Sequence, residues 1–263
     1  MTLPPPRQAR PYAADPTAEA SVTTILGIVA KPALAPAAAR MTAERILDGA
    51  PVASVREATQ WYRQVWDGRA ATGTAVHAVM EAWANGLDAD LMDVVSEIME
   101  RPKAPALWTD AEYVAASLEP YVDGLHAWWE EHDVEPVMTE YIVREPGRWI
   151  GTVDLWARVD GEDRLIDLKT TAEHDPRKGI YRDSWGPQLA AYALATELVD
   201  WTDDGPVVVG ENPTPGDALV VHLRGDGRYE QIKFPNVAKR WGPYFTALVD
   251  AYHARKEALS EAE

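Results

Sequence analysis

A chain of 263 residues with 46% hydrophobic side chains holds enough apolar material for one large packed domain or two small ones, which excludes a wholly disordered polymer. A formal charge of −17, from 42 acidic and 25 basic residues, excludes a histone-like or polybasic coat for nucleic acid. With 0 cysteines, disulfides, thiolate zinc sites, iron–sulfur clusters and a cysteine nucleophile are all excluded.

Residues 1–20 carry Pro4, Pro5, Pro6, Pro11 and Pro16, which block helix and sheet hydrogen bonding, so they read as a disordered arm before a single domain over 21–263. The arm has no apolar core of a secretion signal, and no run in the chain approaches the ~20 apolar residues of a membrane span. The expected location is a cytoplasm, without membrane contact. A short apolar segment, SVTTILGIVA, starts at Ser21. Helices are expected over 36–47 and 52–66, a loop over 67–73 (DGRAATG), and a helix over 73–85 ended by Gly86. Apolar spacing of three to four residues predicts further helix over 88–100 and 109–132.

The period then changes. Segment 137–145 alternates like a strand, 148–160 and 164–170 read as further strands, and Pro146–Gly147 and Gly161–Asp163 between them are turn signals, so the three read as an antiparallel meander. A helix over 184–199, a strand pair over 218–224 and 229–234, and a helix over 236–259 follow. In the last helix Trp241, Phe245, Leu248 and Tyr252 share a face. This order predicts an α/β fold, in the α+β sense of one mixed sheet flanked by helices. Between Glu81 and Glu135 there are fourteen acidic side chains against two basic ones, Arg101 and Lys103, so most of the net charge lies on one helical region with a solvated face.

The chemistry is concentrated in the meander. Asp154 and Asp167 each sit mid-strand between apolar residues, where carboxylates are poor strand formers and rarely buried unpaired. Lys169 lies two residues after Asp167 and leaves the same strand face. If the strands pair across Gly161–Asp163, two carboxylates and an ammonium converge. Close carboxylates repel unless a cation lies between them, and an oxygen-rich cluster suits Mg²⁺ or Mn²⁺ better than zinc. Such a group is a kit for phosphodiester hydrolysis; a structural Asp–Lys ion pair is the plain alternative. Gln188 and Tyr192 share a helix face at i, i+4. His77 lies on an amphipathic helix with Glu81 one turn on, and reads as core, surface or ligand. Glu140 is mid-strand, beside the site or at a solvated edge. The remaining histidines, 126, 132, 174, 222 and 253, lack ligand-like spacing and read as structural or surface residues. No phosphate-cradling G-x-x-x-x-G-K-[ST] loop or G-x-S-x-G elbow is present.

These motifs, in the order Gly73–His77, Glu140, Gly151–Asp154, Asp167–Lys169 and Gln188–Tyr192, resemble the RecB-type branch of the PD-(D/E)XK nucleases over about residues 21–200. The resemblance implies a restriction-endonuclease-like core with a helical N-terminal part, acting as a metal-dependent DNA exonuclease in DNA recombination, repair or replication. It implies Asp154, Asp167 and His77 as ligands of Mg²⁺ or Mn²⁺, with the Leu168 carbonyl completing that shell. Lys169 would position the attacking water, Glu140 would support the metal, and Gln188 and Tyr192 would brace the site and touch the nucleic-acid backbone. Many members carry four cysteines around an iron–sulfur cluster, which this chain cannot form. No helicase domain accompanies the motifs, so a stand-alone nuclease core is expected, similar to exonucleases encoded by bacteriophages of actinobacteria. A recombinase or single-strand annealing protein is the expected partner.

DNA binding is driven by cations that neutralise phosphates. Arg177, Lys178 and Arg182 are the expected nucleic-acid contacts, with Arg144, Arg148 and Arg158 as further channel candidates. Trp149, Trp156 and Trp185 are either base-stacking or core residues. Against so acidic a chain, weak and salt-sensitive DNA affinity is expected. Loss of either aspartate is expected to abolish hydrolysis and leave the fold largely intact. A nuclease fold used only for binding or assembly, and a metal-dependent phosphohydrolase acting on nucleotides, are the alternatives.

Overall fold

The computed structural model describes residues 12, 18–29, 34–49, 51–172, 182–202 and 205–260, with the backbone alone for Arg182 and Asp183. Five helices come first: α1 (Val22–Leu26), α2 (Leu34–Leu47), α3 (Val55–Ala84), α4 (Leu91–Glu100) and α5 (Ala111–Glu131). The strands β1 (Val134–Glu145), β2 (Trp149–Val159) and β3 (Glu162–Thr171) form the expected meander. Then come α6 (Arg182–Leu194), β4 (Glu197–Thr202), β5 (Gly205–Glu211), β6 (Ala218–Arg224), β7 (Tyr229–Phe234) and α7 (Val237–Ser260).

Seven strands make one sheet in the order β5-β4-β1-β2-β3-β6-β7, in which only the β3–β6 pair is parallel. Alternating strand residues feed two cores. Ile166, Leu168, Leu219 and Val221 pack on one face against α3, α4 and α5. Leu165, Ala218 and Val220 pack on the other against α1, α6 and α7, where Trp241, Phe245, Leu248 and Tyr252 all join the cluster as their spacing predicts. No helix among the described residues is long and apolar enough to cross a membrane.

Two expectations are corrected. The segment 67–73 is not a loop: α3 runs unbroken from Val55. Ser54 caps it by accepting from the Glu57 N–H, and the Glu57 carboxylate accepts from Ala53 N–H, a capping-box arrangement that fixes the start. A glycine inside a helix costs about 1 kcal/mol, less than nucleating a second helix, so Gly68 and Gly73 among good helix formers do not break it. The helix expected over 184–199 ends at Leu194, where the Asn212 amide donates to the carbonyls of Tyr192 and Ala195 at 2.7 Å each. The chain then turns into β4, which pairs with the open edge of β1, and β5 follows as a strand the sequence pattern does not reveal.

Within the proline-rich arm, residues 1–11 and 13–17 lie outside the described residues. Tyr12 is buried, with its hydroxyl 3.0 Å from that of Thr152 and its ring edge-on to Trp201.

Candidate metal centre

The site lies where the sheet forks. β2 and β3 pair from Val159↔Glu162 up to Leu155↔Ile166 and then separate. Beyond that point β3 continues beside β6 as far as Thr171↔Arg224, whereas the free edge of β2 is taken by the chain before α1, with Ile150 N–H donating to Ala20 C=O at 3.1 Å. Asp154 stands at the apex. In a regular strand its two neighbours would face one side, yet Val153 enters the α6-side core and Leu155 the α3-side core. The strand pair therefore rotates here. The partner of this rotation on β1 is Glu140, opposite Asp154 between the pairs Thr139↔Leu155 and Tyr141↔Val153. Glu140 has φ 49°, left-handed backbone that costs a non-glycine residue about 1–3 kcal/mol. The other non-glycine residues with positive φ, Asp160 and Asn236, lie at element ends. Among the described residues Glu140 alone carries it within a strand, which aims its side chain into the fork.

The Asp154 carboxylate replaces the missing ladder bond: Leu168 N–H donates to Asp154 Oδ2 at 3.0 Å. His77, two turns before the end of α3, meets the same peptide from the other side, with Nε2 3.2 Å from Leu168 C=O. A proton on Nε2 satisfies that carbonyl and leaves Nδ1 as a bare lone pair. Nδ1 is buried without a hydrogen-bond partner, 3.5 Å from Asp154 Oδ1 and 3.8 Å from Glu140 Oε1. Ligand atoms of these three residues all lie within 4.8 Å of one another. A buried imidazole lone pair facing two carboxylate oxygens fits a divalent cation by its donor set.

A second group stands beside it, on the α6 face of β3. Lys169 Nζ is 2.6 Å from Asp167 Oδ2 and 3.4 Å from Gln188 Oε1. The Gln188 amide donates to Asp167 Oδ1 at 3.1 Å and to the Tyr192 hydroxyl at 2.8 Å. Asp167 is 1% exposed, and burial pushes its carboxyl above the usual range; Lys169 pulls it back, and the nearby Asp154 charge pushes it up again.

The structure thus brings together the motifs singled out in the sequence, with changed parts. Glu140, expected in support, places an oxygen in the cluster of three. Asp167, expected as a ligand, is held by Lys169 and Gln188, and the Leu168 carbonyl, expected in the same shell, faces the His77 ring. Glu81 stays outside the cluster. Asp154 accepts the Leu168 N–H, so its removal would leave a buried donor without this partner. Of the expected cationic contacts, Arg177 and Lys178 lie outside the described residues, as does His174, and the side chain of Arg182 is not described. Arg144 pairs with Glu197, Arg148 with Asp250, and Arg158 with Glu135 and Asp163. Trp149 and Trp185 are buried core residues, and Trp156 is half-buried against the same core. His222, which the spacing left among structural or surface residues, is buried one strand away from Lys169. Its place depends on β3 pairing with β6, a contact no local pattern shows.

A split, mixed sheet with a histidine, an acidic strand pair and a D-x-K strand at the fork defines a metal-dependent nuclease class of site. The profile described as the PD-(D/E)XK nuclease superfamily matches the chain over residues 54–260. The chain belongs to that superfamily, and the match includes the last two strands and α7, beyond the reach of the motifs. No curated protein matches it. Superfamily membership makes DNA the substrate class and a divalent metal the general cofactor.

Proposed function

We propose that this protein is a Mg²⁺- or Mn²⁺-dependent deoxyribonuclease of the RecB-type branch that degrades DNA from its ends. The observation that carries the metal assignment is the buried, unbonded Nδ1 of His77 facing Glu140 and Asp154. These three residues would hold the ion. A divalent cation there supplies polarisation of a phosphoryl oxygen and acidifies a bound water. One imidazole among carboxylates tilts the set toward Mn²⁺ over Mg²⁺ relative to an all-oxygen shell.

The chain's own residues do the rest. The Lys169 ammonium, held between Asp167 and Gln188, donates to a phosphate oxygen or orients the attacking water. Gln188 fixes both ends of that ion pair, and the Tyr192 hydroxyl fixes Gln188. Asp167, with its carboxyl pushed up by burial, gains most from positive charge arriving beside it. The test compares linear and covalently closed circular DNA with Mg²⁺, with Mn²⁺ and with a chelator. The expected result is metal-dependent loss of linear DNA only, abolished in Asp154→Asn. Nicked circles would replace the end-dependent reading with an endonuclease, and intact DNA under all conditions would remove the nuclease assignment from this chain.

A further inference from the structure

The α6 face of β3 holds more than the residues used above. Asp167, Lys169 and Thr171 alternate along it, each about 6.6 Å from the next at two residues' rise. They run outward: Asp167 is 1% exposed, Lys169 25% exposed at its side chain, and Thr171 half-buried. Thr170, between them, faces α3, its Oγ1 3.5 Å from where a side chain on Gly73 would begin. Behind Lys169 and Thr171 stands His222 of β6, in parallel register with Lys169. Its Nε2 is 2.9 Å from Thr171 Oγ1, its ring is edge-on to Trp185 of α6, and Glu230 Oε2 of β7 lies 3.9 Å from Nδ1. The backbone of Thr171 is also fixed, since Gly225 N–H donates to its carbonyl at 3.0 Å.

We propose that Thr171 is a phosphate-binding hydroxyl of this site and that His222 is the residue that positions it. With a ring proton on Nε2 donated to Thr171 Oγ1, the hydroxyl has its own proton left to give outward. That hydroxyl stands one step beyond Lys169 along the strand. A nucleic-acid strand whose scissile phosphate sits at Lys169 presents its next phosphate there. The Trp185 ring holds the imidazole plane.

The assignment rests on the nuclease reading for the identity of the ligand, so the experiment has a binding arm and a cleavage arm. The binding arm measures anisotropy of a short fluorescent oligonucleotide at low salt in the presence of chelator. The cleavage arm uses linear DNA with Mg²⁺ or Mn²⁺. The variants are Thr171→Val, which keeps shape and loses the hydroxyl, Thr171→Ser, which keeps the hydroxyl, His222→Leu, and the double variant. One hydrogen bond to a charged oxygen corresponds to roughly a tenfold loss or more. Thr171→Val is expected to weaken binding by that factor at a temperature where every variant is folded, with a lower melting temperature because His222 Nε2 loses its partner, and Thr171→Ser to bind as wild type. His222→Leu is expected to weaken binding in the wild-type background and to add nothing in the Thr171→Val background. Wild-type binding by Thr171→Val, or fully additive losses in the double variant, would overturn the proposal. If the wild type binds in this pattern yet cleaves nothing with either metal, the phosphate site stands and the nuclease reading falls.

Discussion

The motif glycine at 151 has a packing cause that makes a sharp test of how the site is braced. An ideal Cβ built there would lie 2.7 Å from Tyr192 Cε1, 3.2 Å from Tyr192 Cδ1 and 3.0 Å from Val22 Cγ2. Carbon atoms pack best at about 3.5–4.0 Å, so Gly151→Ala must push the Tyr192 ring by about 1 Å. The ring is 2% exposed and has little room to move. Overpacking of this kind costs about 1–3 kcal/mol, and a domain of this size loses about 2–4 °C per kcal/mol. The expected fall in melting temperature is therefore roughly 2–12 °C. The larger effect is chemical. Tyr192 carries Gln188, which holds Asp167 and Lys169, so the displacement reaches the ammonium through two hydrogen bonds. A misplacement of about 1 Å at a reacting group lowers rate on the order of a hundredfold. The assay pairs thermal melts with cleavage of linear DNA at temperatures where both proteins are folded. Gly210→Ala serves as control, since a Cβ there meets nothing within 4 Å. In a Tyr192→Ala background the clash with the ring disappears and only the tight contact with Val22 remains, so most of the stability cost of Gly151→Ala should vanish in that double-mutant cycle. Gly151→Ala melting and cutting like wild type would refute this account of the glycine.

Two further outcomes follow from the site. Burial raises the Asp167 carboxyl in the folded chain above its unfolded value of about 3.9, so the folded state binds that proton more readily. Its contribution to stability is present below the unfolded value and is lost as pH rises through the folded one. Asp167→Asn, which never carries the charge, is expected to abolish cleavage while melting at or above wild type near pH 8, with the gap closing toward pH 4; an equal deficit at both pH values would count against it. Addition of Mn²⁺ at about a hundred times its dissociation constant should stabilise the protein by about 2.7 kcal/mol, reversed by chelator. Glu140→Gln should remove most of that shift without lowering the metal-free melting temperature, and a shift unchanged in Glu140→Gln would exclude this residue as a ligand.

What was legible in the sequence was local. The meander could be read because turn signals at Pro146–Gly147 and Gly161–Asp163 separate three strand-like segments, and Gln188 with Tyr192 because four residues make a turn of helix. The β4–β5 hairpin could not. The strand containing Val207, Val208 and Val209 lies at a sheet edge with all three exposed, so burial imposes no alternation on it. The fork was also hidden, because it arises where β3 leaves β2 for β6, some fifty residues later in the chain. For the same reason the positive φ of Glu140, its meeting with His77 and Asp154, and the place of His222 had no local signal.

The fork also changes what a substitution at Asp154 means. Splitting a sheet strands backbone groups, and each buried one left unsatisfied costs about 1–3 kcal/mol. Here the gap is closed by the residues that build the site. Asp154 Oδ2 accepts the Leu168 N–H, His77 Nε2 meets the Leu168 carbonyl, and Ala20 takes the free edge of β2 at Ile150. Structural and chemical roles therefore coincide in Asp154. Asp154→Ala removes the charge and also orphans a buried N–H, so loss of activity in that variant mixes both causes. Asp154→Asn keeps an oxygen for Leu168 while replacing the oxygen toward His77 with an uncharged amide, and is the variant in which lost cleavage reports on metal chemistry rather than on an orphaned N–H. An Asp154→Ala protein as stable as Asp154→Asn would mean that the Leu168 N–H finds another partner, and that the fork does not depend on its carboxylate.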